Sequence, residues 1–67
     1  MKAVTLLDAL HKKKFKAFTL CVDNGREIRV KHPDCVLLNE NKTVAVVAEG
    51  EHLHIVDLDH ISSLALG

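Results

Sequence analysis

Apolar and polar positions alternate along most of this chain, and their period changes once. Between residues 4 and 13, Val4, Leu6, Leu7 and Leu10 recur at helical spacing, with Lys2, Asp8 and the 11–13 stretch off that face. This spacing predicts a helix of about ten residues, too short to persist alone, so its stripe must lie on something. Lys12, Lys13 and Lys14 then fall at its carbonyl end, where the helix dipole favours positive charge. From Phe18 onward the period drops to two. Phe18, Leu20 and Val22 alternate with Thr19, Cys21 and Asp23, and Ile28 and Val30 alternate with Glu27, Arg29 and Lys31. These runs read as two strands.

Asn24-Gly25 between them is a hairpin signal, and register decides the loop length. A two-residue turn would set Val22 against Glu27 and Leu20 against Arg29, mixing apolar and charged side chains on one face. A three-residue loop, Asp23-Asn24-Gly25, pairs Val22 with Arg26, Leu20 with Ile28 and Phe18 with Val30. Because a one-residue slip turns a whole strand over, the apolar pattern selects the longer loop, with Gly25 left-handed.

Pro33 then marks a bend. The pattern predicts a short strand over 35–39, a turn over 39–42, a β-branched strand over 43–48 and a tight turn over 49–51. A strand over His52–Asp57 follows, with Leu53 and Ile55 alternating, then a turn or single helical twist over 57–60 and a last strand over Ile61–Leu66. One N-terminal helix followed by five or six short strands describes a mainly β chain curled into a small, bent, SH3-like barrel.

Length and composition sharpen this picture. Sixty-seven residues allow one domain, spanning 1–67. With 48% apolar residues the chain should fold, although a domain this small buries only about 60% of its unfolded surface. No apolar run approaches the ~18–20 residues of a membrane span, so no membrane partner is expected. Asp8 interrupts the only leader-like stretch, which reads as a cytoplasmic chain. Cys21 and Cys35 are too few for a disulfide scaffold and read as free thiols. Missing stability must then come from packing or from association between copies.

The order of elements, above all the Asn24-Gly25 hairpin and the closing His60-Ile61-Ser62-Ser63-Leu64 strand, resembles the Sm-like barrels, including the bacterial Hfq branch. The resemblance covers nearly the whole chain as topology and implies an oligomer that holds uridine-rich RNA. That family carries an Asp and an Asn beside its bent second and third strands and an Arg-Gly after the fourth. Here those places read Asp34-Cys35-Val36-Leu37-Leu38 and Asp57-Leu58-Asp59, and the Lys-His pair of Hfq is replaced by Asp59-His60. His60 alone carries over. The segments Phe15-Lys16-Ala17-Phe18, Asp23-Asn24-Gly25-Arg26 and Val30-Lys31-His32-Pro33 are also similar to a group of short bacterial proteins, a likeness that implies no activity.

Zero net charge conceals a division. Up to Pro33, eight lysines and arginines face three acids, a net of +5; from Asp34 onward one lysine faces six acids, a net of −5. Such a chain attracts anions at one end, or another copy of itself head to tail. Lys12, Lys13, Lys14 and Lys16, with Arg29 and His60, are the candidate nucleic-acid contacts. With only Phe15 and Phe18 as aromatics, and Phe18 claimed by a strand, a stacking platform is poorly supplied. His52 and His54 share a strand face and are candidate metal ligands, although one pair falls short of four; solvent exposure on a half-buried strand is the plainer reading.

Catalysis finds little support. Ser62-Ser63 lacks the turn of a nucleophile elbow, three scattered glycines make no phosphate loop, and Asp57 and Asp59 suit an ordinary turn. His32-Pro33-Asp34 matches the tripeptide of J-domain co-chaperones without the two long helices that frame it there. The expectation is therefore a non-catalytic small-barrel binding module, without cofactor, that self-associates through strand edges over 43–48, His52–Asp57 and Ile61–Leu66. Val44, Val46, Leu53, Ile55, Leu64 and Leu66 would supply its apolar contacts. The alternative is an Sm-like RNA-binding oligomer working through the basic N-terminal segment.

Overall fold

A computed structural model describes residues 1–66. Helix α1 spans Ala3–Leu10, and six strands follow: β1 Phe18–Val22, β2 Glu27–Val30, β3 Val36–Leu38, β4 Val44–Glu49, β5 His52–Asp57 and β6 Ile61–Leu66. Single 3-10 turns, Pro33–Cys35 and Leu58–His60, join β2 to β3 and β5 to β6. The strands form two antiparallel three-stranded sheets, ordered β2-β1-β6 and β3-β4-β5. The molecule is mainly β with one short helix.

The β1–β2 hairpin has the register that its apolar pattern selects: Phe18 faces Val30 and Leu20 faces Ile28. Val22 N–H donates to the Arg26 carbonyl at 2.9 Å, and Gly25 N–H to the Val22 carbonyl at 2.9 Å. Gly25 sits at φ +86°, and a Cβ placed there would meet no atom within 4 Å. The cost of a side chain is therefore purely one of backbone conformation. Gly25→Ala should destabilise the fold by about 1–2 kcal/mol, read as a lower urea midpoint at unchanged slope.

The core joins α1 to both sheets. Leu6, Phe18, Ile28, Val30, Ala45 and Val47 are completely buried, with Leu10, Leu20, Val36, Leu58 and Ile61 close behind. Phe15 packs partly buried against this cluster, its ring 5.8 Å from that of Phe18.

Four expectations need correction. The helix ends at Leu10, with His11 already out of helical geometry, so no lysine lies in its last turn. Lys12–Lys14 instead belong to the segment that turns back to seat Phe15 on Phe18. The buried face of α1 is Leu6, Ala9 and Leu10, while Val4 is 58% exposed. This face centres half a turn away from Val4, because α1 presses its C-terminal half into the core.

The strand over 43–48 is no edge. β4 is hydrogen-bonded on one side to β3 and on the other to β5, so the free strands are β2 and β6 in one sheet and β3 and β5 in the other. Finally, β5 has the opposite phase to a half-buried strand with His52 and His54 in solvent. Val47, fully buried, faces His54, and Ala45, fully buried, faces Val56. Leu53 and Ile55 consequently point outward, 66% and 71% exposed.

Candidate functional site

The inverted phase of β5 creates an apolar outer surface. Directly opposed residues of neighbouring strands share a face, so Leu37, Val46 and Ile55 form one row across all three strands. Ala48 faces Leu53 beside that row, and Val44 faces Asp57 on its other side. Leu37 is 70% exposed, matching Leu53 and Ile55, while Val44 and Val46 are half-buried beneath their neighbours. Of the six apolar residues proposed for association, four therefore gather on this sheet. Leu64, half-buried, and Leu66, 61% exposed, lie apart on β6. Leu37 escaped the sequence reading, although two adjacent leucines in one strand require one of them to point outward.

Where the two sheets meet, a side chain stands in for backbone pairing. Glu49, at the end of β4, accepts from Arg29 N–H through Oε2 at 2.9 Å. Its Oε1 lies 3.0 Å from His54 Nε2, which donates when it carries the ring proton. One carboxylate thus ties the open edge of β2 to β4 and to the inward face of β5. No feature of the sequence marks Glu49, because its partner Arg29 is twenty residues away and contributes backbone.

The bond from Arg29 N–H, then that from His54, hold the Glu49 carboxyl below its ordinary pKa, with a smaller electrostatic contribution from His54 and His52; burial opposes them. A carboxyl with a depressed folded-state pKa stabilises the fold above its unfolded pKa, and that contribution is lost as pH falls through the folded value. Glu49→Gln should therefore melt below the wild type at pH 7, with the gap closing in acid, as thermal melts from pH 7 to pH 2 would show.

The six candidate nucleic-acid contacts do not share one place. Lys12, Lys13, Lys14 and Lys16 are all exposed between α1 and β1. Arg29 is half-buried, and its Nη1 donates to Thr19 Oγ1 at 3.4 Å. His60 is exposed on the second 3-10 turn, its Nδ1 3.6 Å from Asp23 Oδ2 at the β1–β2 turn. Lys12 borders a groove between α1 and β6, Arg29 a cleft against the β4–β5 turn, and His60 a third cleft beside the hairpin loop.

The histidine pair is also divided: His52 is exposed, while the His54 side chain is only 15% exposed and engaged with Glu49. Among the described residues, no three His, Cys, Asp or Glu side chains gather as a metal site. Among the described residues both cysteines are free, and no helix is long and apolar enough to cross a membrane.

No protein-family model, curated protein or solved structure matches this chain. The surfaces themselves carry the functional reading.

Proposed function

We propose that this chain is a non-catalytic small-barrel binding module that works as a homo-oligomer. The observation that carries the reading is the outer row Leu37–Val46–Ile55, exposed at Leu37 and Ile55, with exposed Leu53 beside it. Removing such a surface from water contributes about 25 cal/mol per Å² of apolar area. Total exposure points the same way. The chain exposes 4680 Å², about a tenth more than the roughly 4,200 Å² of a typical folded monomer of this mass.

The barrel reading is supported by β1, which pairs with both β2 and β6, and by the Pro33–Cys35 turn, which carries one bent path from β2 into β3. The free edges of β5 and β6 add unpaired backbone groups that a neighbouring copy would satisfy. Sedimentation velocity at tens of micromolar tests the proposal. The expected mass is a multiple of the 7.4 kDa chain; a monomer at that concentration refutes the reading.

A second reading, RNA binding by an Sm-like oligomer, is favoured by the exposure of Lys12, Lys13, Lys14 and Lys16. It requires affinity for short uridine- or adenine-rich oligonucleotides that falls with salt by roughly one log-log slope unit per phosphate neutralised. Absence of binding at about 50 mM salt, where this attraction is strong, rejects it.

A further inference from the structure

Five large apolar side chains are strongly exposed among the described residues, and they fall into two groups. Leu37, Leu53 and Ile55 belong to the outer face of the β3-β4-β5 sheet; Val4 and Leu66 belong to α1 and β6. Leu66 borders a groove of about 310 Å³ between α1 and β6, lined by Thr5, Asp8, Ala9, Lys12, Leu64 and Leu66. Val4 stands one helical turn before Asp8 at its rim.

The charges around the two surfaces are opposite. Asp34, Glu40, Glu51, Asp57 and Asp59 are exposed on the β3-β4-β5 sheet and its connecting turns, against Lys42 on the same elements. Arg26 beside Ile55 and Asp57, and Lys31 beside Ala48, flank them from the other sheet, so acids still outnumber bases around this face. Glu49, the sixth acid of this half, is committed to Arg29 N–H and His54. At the α1–β6 groove, Lys12 leads directly into Lys13, Lys14 and Lys16, and Asp8 is the only acid in the first 22 residues. Two identical acid-rimmed faces would repel on stacking, whereas an acid-rimmed face against a lysine-rimmed groove attracts.

We propose that copies of this chain associate head to tail, the apolar face around Leu37, Leu53 and Ile55 of one seating on the α1–β6 groove of the next. This rests on the self-association reading above and names the two unlike surfaces that meet. Because the surfaces differ, each copy keeps one of each kind unsatisfied until a ring closes or a fibre grows. Apolar contact supplies the affinity, and the opposed rims set the orientation and reject the like-with-like pairing.

Two single variants test it, each at an exposed position: Ile55→Glu on the face and Leu66→Glu at the groove. Circular dichroism first establishes that both keep the wild-type melt; Leu53→Lys and Thr5→Glu, the latter at an exposed groove-lining position, are the substitutes should either fail to fold. In head-to-tail association each variant alone is limited to monomer. Their equimolar mixture forms a one-to-one dimer that grows no further, since the one intact face and the one intact groove are paired with each other and only the two altered surfaces are left.

Native mass spectrometry of an isotope-labelled pair reads this directly. Dissociation constants should rise at least tenfold for each variant alone, and wild-type assembly should weaken between low and high salt. A mixture that stays monomeric overturns the proposal. So does wild-type assembly by Leu66→Glu alongside a monomeric Ile55→Glu, the signature of two like faces stacking. Wild-type protein that is monomeric throughout defeats the self-association reading itself, whereas assembling wild type with a monomeric mixture defeats only the head-to-tail arrangement.

Discussion

Phe18→Ala should leave this chain without a cooperative unfolding transition at any temperature. Phe18 is completely buried, faces Val30 on one neighbouring strand and Leu66 on the other, and carries Phe15 against its ring. It is the largest of the fully buried side chains, and it ties α1's return segment to the first sheet. Truncating a buried Phe costs about 3–5 kcal/mol. A domain of this length holds only about 3–10 kcal/mol in total, so the substitution removes most or all of it. Circular dichroism melts of the wild type, Phe18→Ala and Phe18→Leu check this. The leucine variant should still melt cooperatively, at lower temperature; an alanine variant melting within a few degrees of wild type would contradict the assignment of Phe18 as the centre of the core.

The second large effect is expected at an exposed residue. Asn39 closes the β3–β4 turn with its side chain: Oδ1 accepts from Thr43 N–H at 2.7 Å and Val44 N–H at 2.8 Å, and Nδ2 donates to Thr43 Oγ1 at 2.9 Å. Its backbone N–H donates to the Val44 carbonyl at 3.1 Å, and its carbonyl accepts from Lys42 N–H at 3.0 Å. This network holds Lys42 at φ +57°, a conformation that costs a side-chain-bearing residue energy. Asn39→Ala removes all three side-chain bonds and leaves that backbone less supported. A loss of about 2 kcal/mol is expected, which in a domain of this size lowers Tm by roughly 8–16 °C. Asn39→Asp, which keeps both bonds from the backbone amides, should recover more than half of the loss at neutral pH.

These effects also show where local pattern and tertiary structure part company. The β1–β2 hairpin was readable residue by residue, because Phe18, Leu20, Ile28 and Val30 leave one register that keeps charge off the apolar face, and Phe18↔Val30 and Leu20↔Ile28 are the observed pairs. The Leu58–His60 twist and the β6 strand were readable for similar local reasons. In β4, by contrast, Val44 and Val46 on one face are as apolar as Ala45 and Val47 on the other, so alternation alone does not say which set is inside. β5 carries His52 and His54 in one phase and Leu53 and Ile55 in the other, and hydropathy favours the wrong one. The observed phase wins because Ala45 and Val47 complete the same closely packed core as Phe18 and Ile28, while Glu49 gives His54 a hydrogen-bonded place inside.

The candidate surfaces divide in the same way. The opposed charges of the two halves are a property of the chain itself, as are the lysine run from Lys12 and the apolar character of Leu53, Ile55 and Leu66. That Leu37 joins Leu53 and Ile55 depends on β3 pairing with β4, and that Leu66 borders a groove with Lys12 depends on β6 returning beside α1. By itself, then, the sequence determined the kinds of element, their turns and the hairpin register, since these follow from backbone periodicity and from the few residues that tolerate a tight bend. Only the tertiary structure decided which side of each ambiguous strand faces water, because that choice depends on the volumes and hydrogen-bonding groups that distant segments bring to the opposite side.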